Sequence, residues 1–253
     1  MIRLLSLETS TDRGAFCLWS GKTNAGLPVA LSARTERCPV GQAHAETLLP
    51  LLRQSLNESG WSLDSLEAVV VDAGPGMFTG LRVSAALAQG LAVACNKPVI
   101  PISSLEALAE SSFREVPQSR VLTLLDARMN QIYAAAWERA SDGTWQTILA
   151  PCLVDPNTLG CLAIREWIAQ EQGAYTVAVA GTALDVYAEA AQWSQAQGFL
   201  DTGVRYPEAE ALAFLGAQRL IRGDVQDAAD ALPVYVRDRV ALTSAERAAG
   251  LSL

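Results

Sequence analysis

The stretch from Leu66 to Asn96 constrains this chain most. Leu66–Asp72 carries three β-branched residues in a row, Val69, Val70 and Val71, a pattern typical of a strand covered on both faces. The string Gly74-Pro75-Gly76-Met77-Phe78-Thr79-Gly80-Leu81-Arg82 follows it directly. A helix is predicted next, from about Thr79 to Asn96, with Asn96 suited to a left-handed cap and Pro98 preventing continuation. A doubly covered strand feeding a helix through a glycine-rich turn belongs to an α/β layer fold.

The flanking sequence extends that layer. Arg3–Leu7, Gly14–Ser20 and Val29–Thr35 read as strands joined by connections short enough for an antiparallel meander, the last two separated by a turn at Gly21–Pro28. Ala43–Ser59 reads as a helix with Leu48, Leu52 and Leu56 at i, i+4 and i+8, Gly60 as its stop and Pro50 as a kink. Val99–Ile102 is a further strand, and Ser103 with Glu106 forms a capping box for the helix behind it. The order βββαβαβα predicts a five-stranded mixed sheet with helices on its faces.

A second unit starts near Pro117. Arg120–Asp126 and Gln131–Glu138 form hairpin strands around Ala127–Asn130, with Thr144–Leu149 as a third strand. Thr158–Gln172 is predicted helical, Thr176–Gly181 a strand, and Ala183–Gln197 and Pro207–Arg222 helices, the last opened by Pro207 and closed by Gly223. The division expected is 1–110 for the first lobe, 111–222 for a second, degenerate copy of the same plan whose last helix packs back on lobe one, and 223–253 for a peripheral tail.

Composition narrows the function classes. With 19 basic and 27 acidic residues the net charge is −8, and no dense Lys/Arg run supplies the footprint of a stand-alone nucleic-acid binder. The apolar start ends at Glu8, too short for a signal-peptide core, and the uncharged run from Arg82 to Lys97 is shorter than a membrane span. Five cysteines without C-x-x-C spacing read as reduced thiols. A cytoplasmic protein with no membrane role is the expectation.

The glycine-rich turn, Gly74, Pro75, Gly76 and Gly80, has two readings. Its backbone N–H groups and the following helix could meet a phosphate, or the glycines could simply permit a tight strand-to-helix turn. It lacks the Gly-Lys-Ser/Thr ending of a P-loop. Ser84, Ala88 and Ala92, one turn after Gly80, form a stripe of small side chains that would let another helix, or the chain's own sheet, approach closely. The single histidine, His44, has Leu48 where a second metal-ligating histidine would stand one turn on. Glu8-Thr9-Ser10 occupies the turn where actin-like ATPases place a magnesium-associated Asp, though a solvated turn explains it equally well.

Together these residues resemble one family. The strings LLSLETST (Leu4–Thr11), HAETLLPLL (His44–Leu52), GPGMFTGLRVSAALAQGLA (Gly74–Ala92), PISSLEALA (Pro101–Ala109), LDARMNQIYAAAW (Leu125–Trp137) and PVYVRDRVALTSAER (Pro233–Arg247) occur in the order and spacing of the TsaB family. The resemblance implies a two-lobed actin-like (sugar kinase/Hsp70-type) ATPase fold, with a mixed five-stranded sheet in the first lobe and a smaller second lobe. It implies a non-catalytic partner of TsaD, acting with TsaE in threonylcarbamoyl transfer to the adenosine beside the anticodon of tRNAs reading A-starting codons. It also implies a homodimer when TsaD is absent, contact with tRNA only through the partner, and no cofactor on the chain alone; a nucleotide at the partner junction stays open. The family's helical-bundle interface falls here on His44, Leu48, Leu51, Leu52, Ser55, Thr79, Arg82, Val83 and Ala86. The sequence departs from many members in having Glu8 for Asp.

The alternatives are a stand-alone actin-like phosphotransferase and a peptidase. The first needs magnesium-dependent nucleotide binding by the isolated chain; the second lacks a histidine pair or any triad partner beyond His44. Ala88→Trp serves to place the docking face: lost association with intact folding puts it on Ala88, and unfolding puts it elsewhere round the helix.

Overall fold

A computed structural model describes residues 1–39, 41–169 and 177–237. The first sheet contains β1 (Ile2–Glu8), β2 (Ala15–Asn24), β3 (Leu27–Arg37), β4 (Ala68–Gly74) and β5 (Val99–Ser103), in the order β3-β2-β1-β4-β5. The hairpin turn is tighter than the Gly21–Pro28 turn expected: Ala25 (φ 50°) and Gly26 (φ 81°) alone separate β2 from β3. β1 pairs antiparallel with β2 and parallel with β4, with Leu7 opposite Val71. One step further along both strands, Glu8 and Asp72 stand side by side.

Helices α1 (His44–Ser59) and α2 (Phe78–Cys95) end on the left-handed residues Gly60 (φ 64°) and Asn96 (φ 51°). Both cover one face of the sheet, where Leu48, Leu52, Ala88 and Ala92 pack with Leu5, Leu7, Val69 and Val71. The opposite face carries Leu4, Val70 and Ile100 under α7 (Ala209–Arg222), through Leu212 and Leu215. Two packed faces therefore account for the uninterrupted Val69-Val70-Val71 run.

The second sheet repeats the plan. β6 (Arg120–Asp126), β7 (Ile132–Arg139), β8 (Trp145–Val154), β9 (Ala178–Ala180) and β10 (Leu200–Asp201) run in the order β10-β9-β6-β7-β8, again with the first strand between an antiparallel and a parallel neighbour. Its parallel strands are only three and two residues long, so this lobe is the reduced copy. This is the two-lobed actin-like arrangement. The helices cross between lobes: α3 (Ser104–Glu115) packs on the second sheet, while α7 returns to the first, where Ser6 Oγ donates to the Ala209 carbonyl (2.5 Å). A boundary after 110 thus falls inside α3.

Several local expectations need correction. The capping box does not form: Ser103 makes no cap bond, and Glu106 instead accepts from Arg219 of α7 (2.7 Å). The helix expected over Thr158–Gln172 is broken, because Asp155 caps a 3-10 turn (Pro156–Cys161) and, among the described residues, α-helix is confined to Arg165–Ala169 (α4). Ala183–Gln197 is interrupted at extended Tyr187, whose hydroxyl donates to Asp126 (2.7 Å), leaving α5 (Ala183–Val186) and α6 (Ala188–Ala196). Pro207 precedes the Glu208 N-cap of α7 and lies outside the helix.

The tail up to Arg237 is not peripheral. Ala228 and Ala231 are buried in the first lobe's core, and Gln226 bridges to Val99 of β5. The start of the strand expected at Thr176, the end of the helix expected to Gln172 and the tail from 238 onward lie outside the described residues.

Candidate functional site

The site is built where β1 and β4 end. Gly74 leaves β4 at φ 95°, a left-handed conformation that favours glycine, and leads into cis-Pro75. Met77 then caps α2 and donates its N–H to the Ser10 carbonyl (2.6 Å). A Cβ on Gly76 would stand 2.5 Å from Ser10 Cβ and from the Ser10 carbonyl oxygen. A Cβ on Gly80 would drive into the Thr9 carbonyl oxygen. Thr9 Oγ1 in turn donates to the Gly80 carbonyl (2.8 Å). These two glycines let the start of α2 lie directly against the Glu8-Thr9-Ser10 turn.

That contact decides between the two readings of the turn. The amide of Ser10 donates to Glu8 Oε1 (2.8 Å), the amide of Gly74 to Asp72 Oδ1 (2.7 Å) and the amide of Met77 to Ser10. The Ser10 hydroxyl also donates to Glu8 Oε1 (2.5 Å). Three of the turn's donors are thus spent inside the chain, which favours the tight-turn reading. The metal–nucleotide group implied by the actin-like fold does not fit these residues. Nor is the Glu8-Thr9-Ser10 turn solvated: all three residues are buried.

Sequence reasoning missed Asp72, whose signal was its register with Glu8. Burial, then the neighbouring Asp72 charge, push the Glu8 carboxyl well above its ordinary range. Burial also raises Asp72, against opposing bonds from Ser104 Oγ (2.5 Å) and the Gly74 amide. Both carboxyls are thus pushed up, Glu8 the more strongly. Asp72 Oδ2 is buried with no hydrogen-bond partner. Two like charges side by side in this dry pocket are costly, so the pair favours holding a proton between them.

A pH prediction follows with a definite sign. A carboxyl raised in the folded state contributes stability below its unfolded pKa and loses it as pH rises through its folded pKa. Glu8→Gln keeps a donor toward Asp72 but cannot ionise. Its urea midpoint should gain on that of the unsubstituted chain as pH climbs above about 4, the ordinary carboxylate range. Parallel midpoint curves across pH would refute the shared proton.

His44 opens α1 and is buried. Its Nε2 accepts the Gly14 amide (3.1 Å), which assigns the ring proton to Nδ1. A Cβ on Gly14 would lie 2.7 Å from the ring. This histidine ties the β1–β2 connection to α1, and one turn on stands Leu48, itself buried. Among the described residues no group of three His, Cys, Asp or Glu side chains is placed to hold a metal.

The predicted docking residues fall into two sets. His44, Leu48, Leu52 and Ser55 are buried in the chain's own core; Leu51 and Val83 are half-buried against that core. The Ser84, Ala88 and Ala92 stripe is likewise buried against the sheet, which selects the second of its two readings, close approach to the chain's own sheet. Thr79, Arg82 and Ala86 are exposed, and with Gly90 and Val93 (71% exposed) they form the outer face of α2. Gly90 has no atom within 4 Å of a built Cβ, so nothing in the chain itself requires glycine there. On α1 the exposed residues include Leu49 and Arg53, which border a groove of about 870 Å³ floored by Leu52, Leu56 and Leu91. The heptad-like phase of Leu48, Leu52 and Leu56 was the signal that Leu49 and Arg53 face outward.

Helix α2 is long and apolar enough to cross a membrane by length and composition, yet its inner face is packed on β4. A family model for TsaD, tRNA N6-adenosine threonylcarbamoyltransferase, matches residues 39–245. The Escherichia coli tRNA threonylcarbamoyladenosine biosynthesis protein TsaB is 30% identical over 242 residues, covering 95% of this chain and 96% of that protein. The chain belongs to the TsaB family. The Haemophilus influenzae TsaB is 28% identical, with 94% of this chain and 95% of that protein covered. A solved structure from Pseudomonas aeruginosa, described as an uncharacterized protein with similarity to peptidase YeaZ, superposes with a TM-score of 0.75 at 30% identity. It covers 94% of this chain and all of that one. His44 Nε2 in this chain is occupied by the Gly14 amide.

Proposed function

We propose that this chain serves tRNA threonylcarbamoyladenosine biosynthesis as a non-catalytic subunit that docks onto TsaD. The observation that carries the reading is the outer face of α2. Thr79, Arg82, Ala86, Gly90 and Val93 form an exposed ridge of mostly small side chains on a helix whose other side is fixed to the sheet. A second helix can approach such a ridge closely, and the half-buried Val83 and Leu51 supply apolar contact beside it. A partner built on the same plan, as the TsaD family match suggests, would present equivalent helices.

Three features support a non-catalytic role. His44 is spent on Gly14, Glu8 is buried with its carboxyl pushed well above the usual range, and the glycine turn is closed on Thr9 and Ser10. The chain would carry no cofactor alone; a nucleotide would sit, if anywhere, at the junction with TsaD. Without TsaD, two copies would pair through the same face about a two-fold axis. TsaE would join the TsaD-bound form, and with a net charge of −8 the chain would meet tRNA only through its partners, in the cytoplasm.

The stand-alone phosphotransferase reading has no observation in its favour. Purified chain mixed with TsaD should yield a heteromeric species in mass measured by light scattering, while TsaD retains the transferase activity. Absence of a complex at micromolar concentration would sink the proposal, as would threonylcarbamoyl transfer by the isolated chain.

A further inference from the structure

The segment after α7 crosses the molecule from one lobe to the other. Its first part belongs to lobe one: Gln226 exchanges two backbone bonds with Val99, Ala228 and Ala231 are buried in the core, and Gln89 of α2 donates to the Ala231 carbonyl (3.3 Å). Val234 then donates its amide to the Ala73 carbonyl at the end of β4 (2.7 Å). Tyr235 lies against Phe78 with ring centroids 5.3 Å apart. Val236 packs into the cluster formed by α3 and the second sheet.

Arg237 finishes the crossing on the β6–β7 hairpin tip. Its Nη2 donates to the carbonyls of Ala127 (3.0 Å) and Arg128 (3.2 Å) and to Gln131 Oε1 (2.7 Å). That tip is unusual in its backbone. Arg128, Met129 and Asn130 all have positive φ (60°, 55° and 54°), three consecutive non-glycine residues in a left-handed conformation. Each is unfavourable for an L-residue and persists only where the surroundings over-determine it. The guanidinium supplies that restraint: Nη2 gathers the Ala127 and Arg128 carbonyls, and Nη1 donates to Met129 Sδ (2.9 Å). The tip and Arg237 both line the pocket of about 320 Å³ between the lobes, opposite Ser10, Asp12 and Gly76.

The geometry points to a latch: residues 226–237 strap the two lobes together across the mouth of their cleft, and Arg237 both sets the hairpin tip and fixes the lobe-to-lobe angle. Lobe one holds the strap through backbone pairing and core burial. Among the described residues of the strap, lobe two is reached chiefly through Val236 and the Arg237 side chain, which makes Arg237 the releasable end. This inference concerns the chain's own closure and stands whether or not the chain docks onto TsaD.

The test uses full-length chain in a Cys152→Ala background, with one nitroxide on the exposed Cys161 of lobe two and another on Glu67→Cys in lobe one. Arg237→Ala should broaden and shift the pulsed-dipolar distance distribution. It should also speed amide exchange in the segment 125–131 by roughly tenfold, with the far-UV spectrum unchanged. An unchanged distribution together with unchanged exchange overturns the latch. If Arg237→Ala does not fold, Gln131→Ala removes one acceptor from the hairpin side. It should move both readouts in the same direction, and no movement there overturns the proposal equally.

Discussion

Ala86→Trp should abolish association with TsaD and leave the isolated chain folded, whereas Ala88→Trp should unfold it. The two positions lie two residues apart on α2 and so point to different sides of the helix. Ala86 is exposed beside Arg82 and Gly90, so an indole there costs the monomer no more than about 0.5 kcal/mol, the usual scale for surface changes. On a ridge that must admit a second helix, the same indole holds the helices apart. Ala88 is completely buried in the core with Leu52, Val71 and Leu91. An indole cannot enter that space without lifting α2 from the sheet, at a cost of about 3 kcal/mol or more. Light scattering reads association, and urea midpoints read stability. Retained micromolar binding by Ala86→Trp would move the docking face away from α2.

The contrast between these alanines marks where sequence reading ran out. The succession of elements in lobe one followed from periodicity and loop length, because β-branched runs and glycine stops are local signals. The phase of α2 was not local: Ser84, Ala86, Ala88, Gly90 and Ala92 are all small, so no amphipathic contrast separates the sheet side from the solvent side. Resemblance put the α1 interface on one face, His44, Leu48, Leu51, Leu52 and Ser55, yet Leu48 and Leu52 were already claimed by the helix's own leucine stripe. The pairing of Glu8 with Asp72 is 64 positions long-range and depended on knowing that β1 and β4 run parallel in that register. The break at Tyr187 and the lost capping box share one cause. Asp126 and Arg219, each distant in sequence, outbid the local arrangement that propensity favoured.

Gly80→Ala carries the second large expected effect, and it tests the glycine turn directly. In an exposed helix the exchange would raise stability by about 1 kcal/mol, since alanine is the better helix former. Gly90, in open space on the same helix, should show that gain. At Gly80 the new methyl meets a backbone carbonyl, that of Thr9, which cannot swing aside as a side-chain end would. Relief requires α2 to move off the Glu8-Thr9-Ser10 turn, which breaks the Thr9–Gly80 and Met77–Ser10 bonds and lets water reach the shared proton of Glu8 and Asp72. Overpacking against rigid atoms outweighs the propensity gain, and the net loss should be about 3 kcal/mol in urea denaturation. If the Gly80→Ala midpoint instead matched that of Gly90→Ala, the turn would be free of the β1 end, and its amides would again be available to a phosphate.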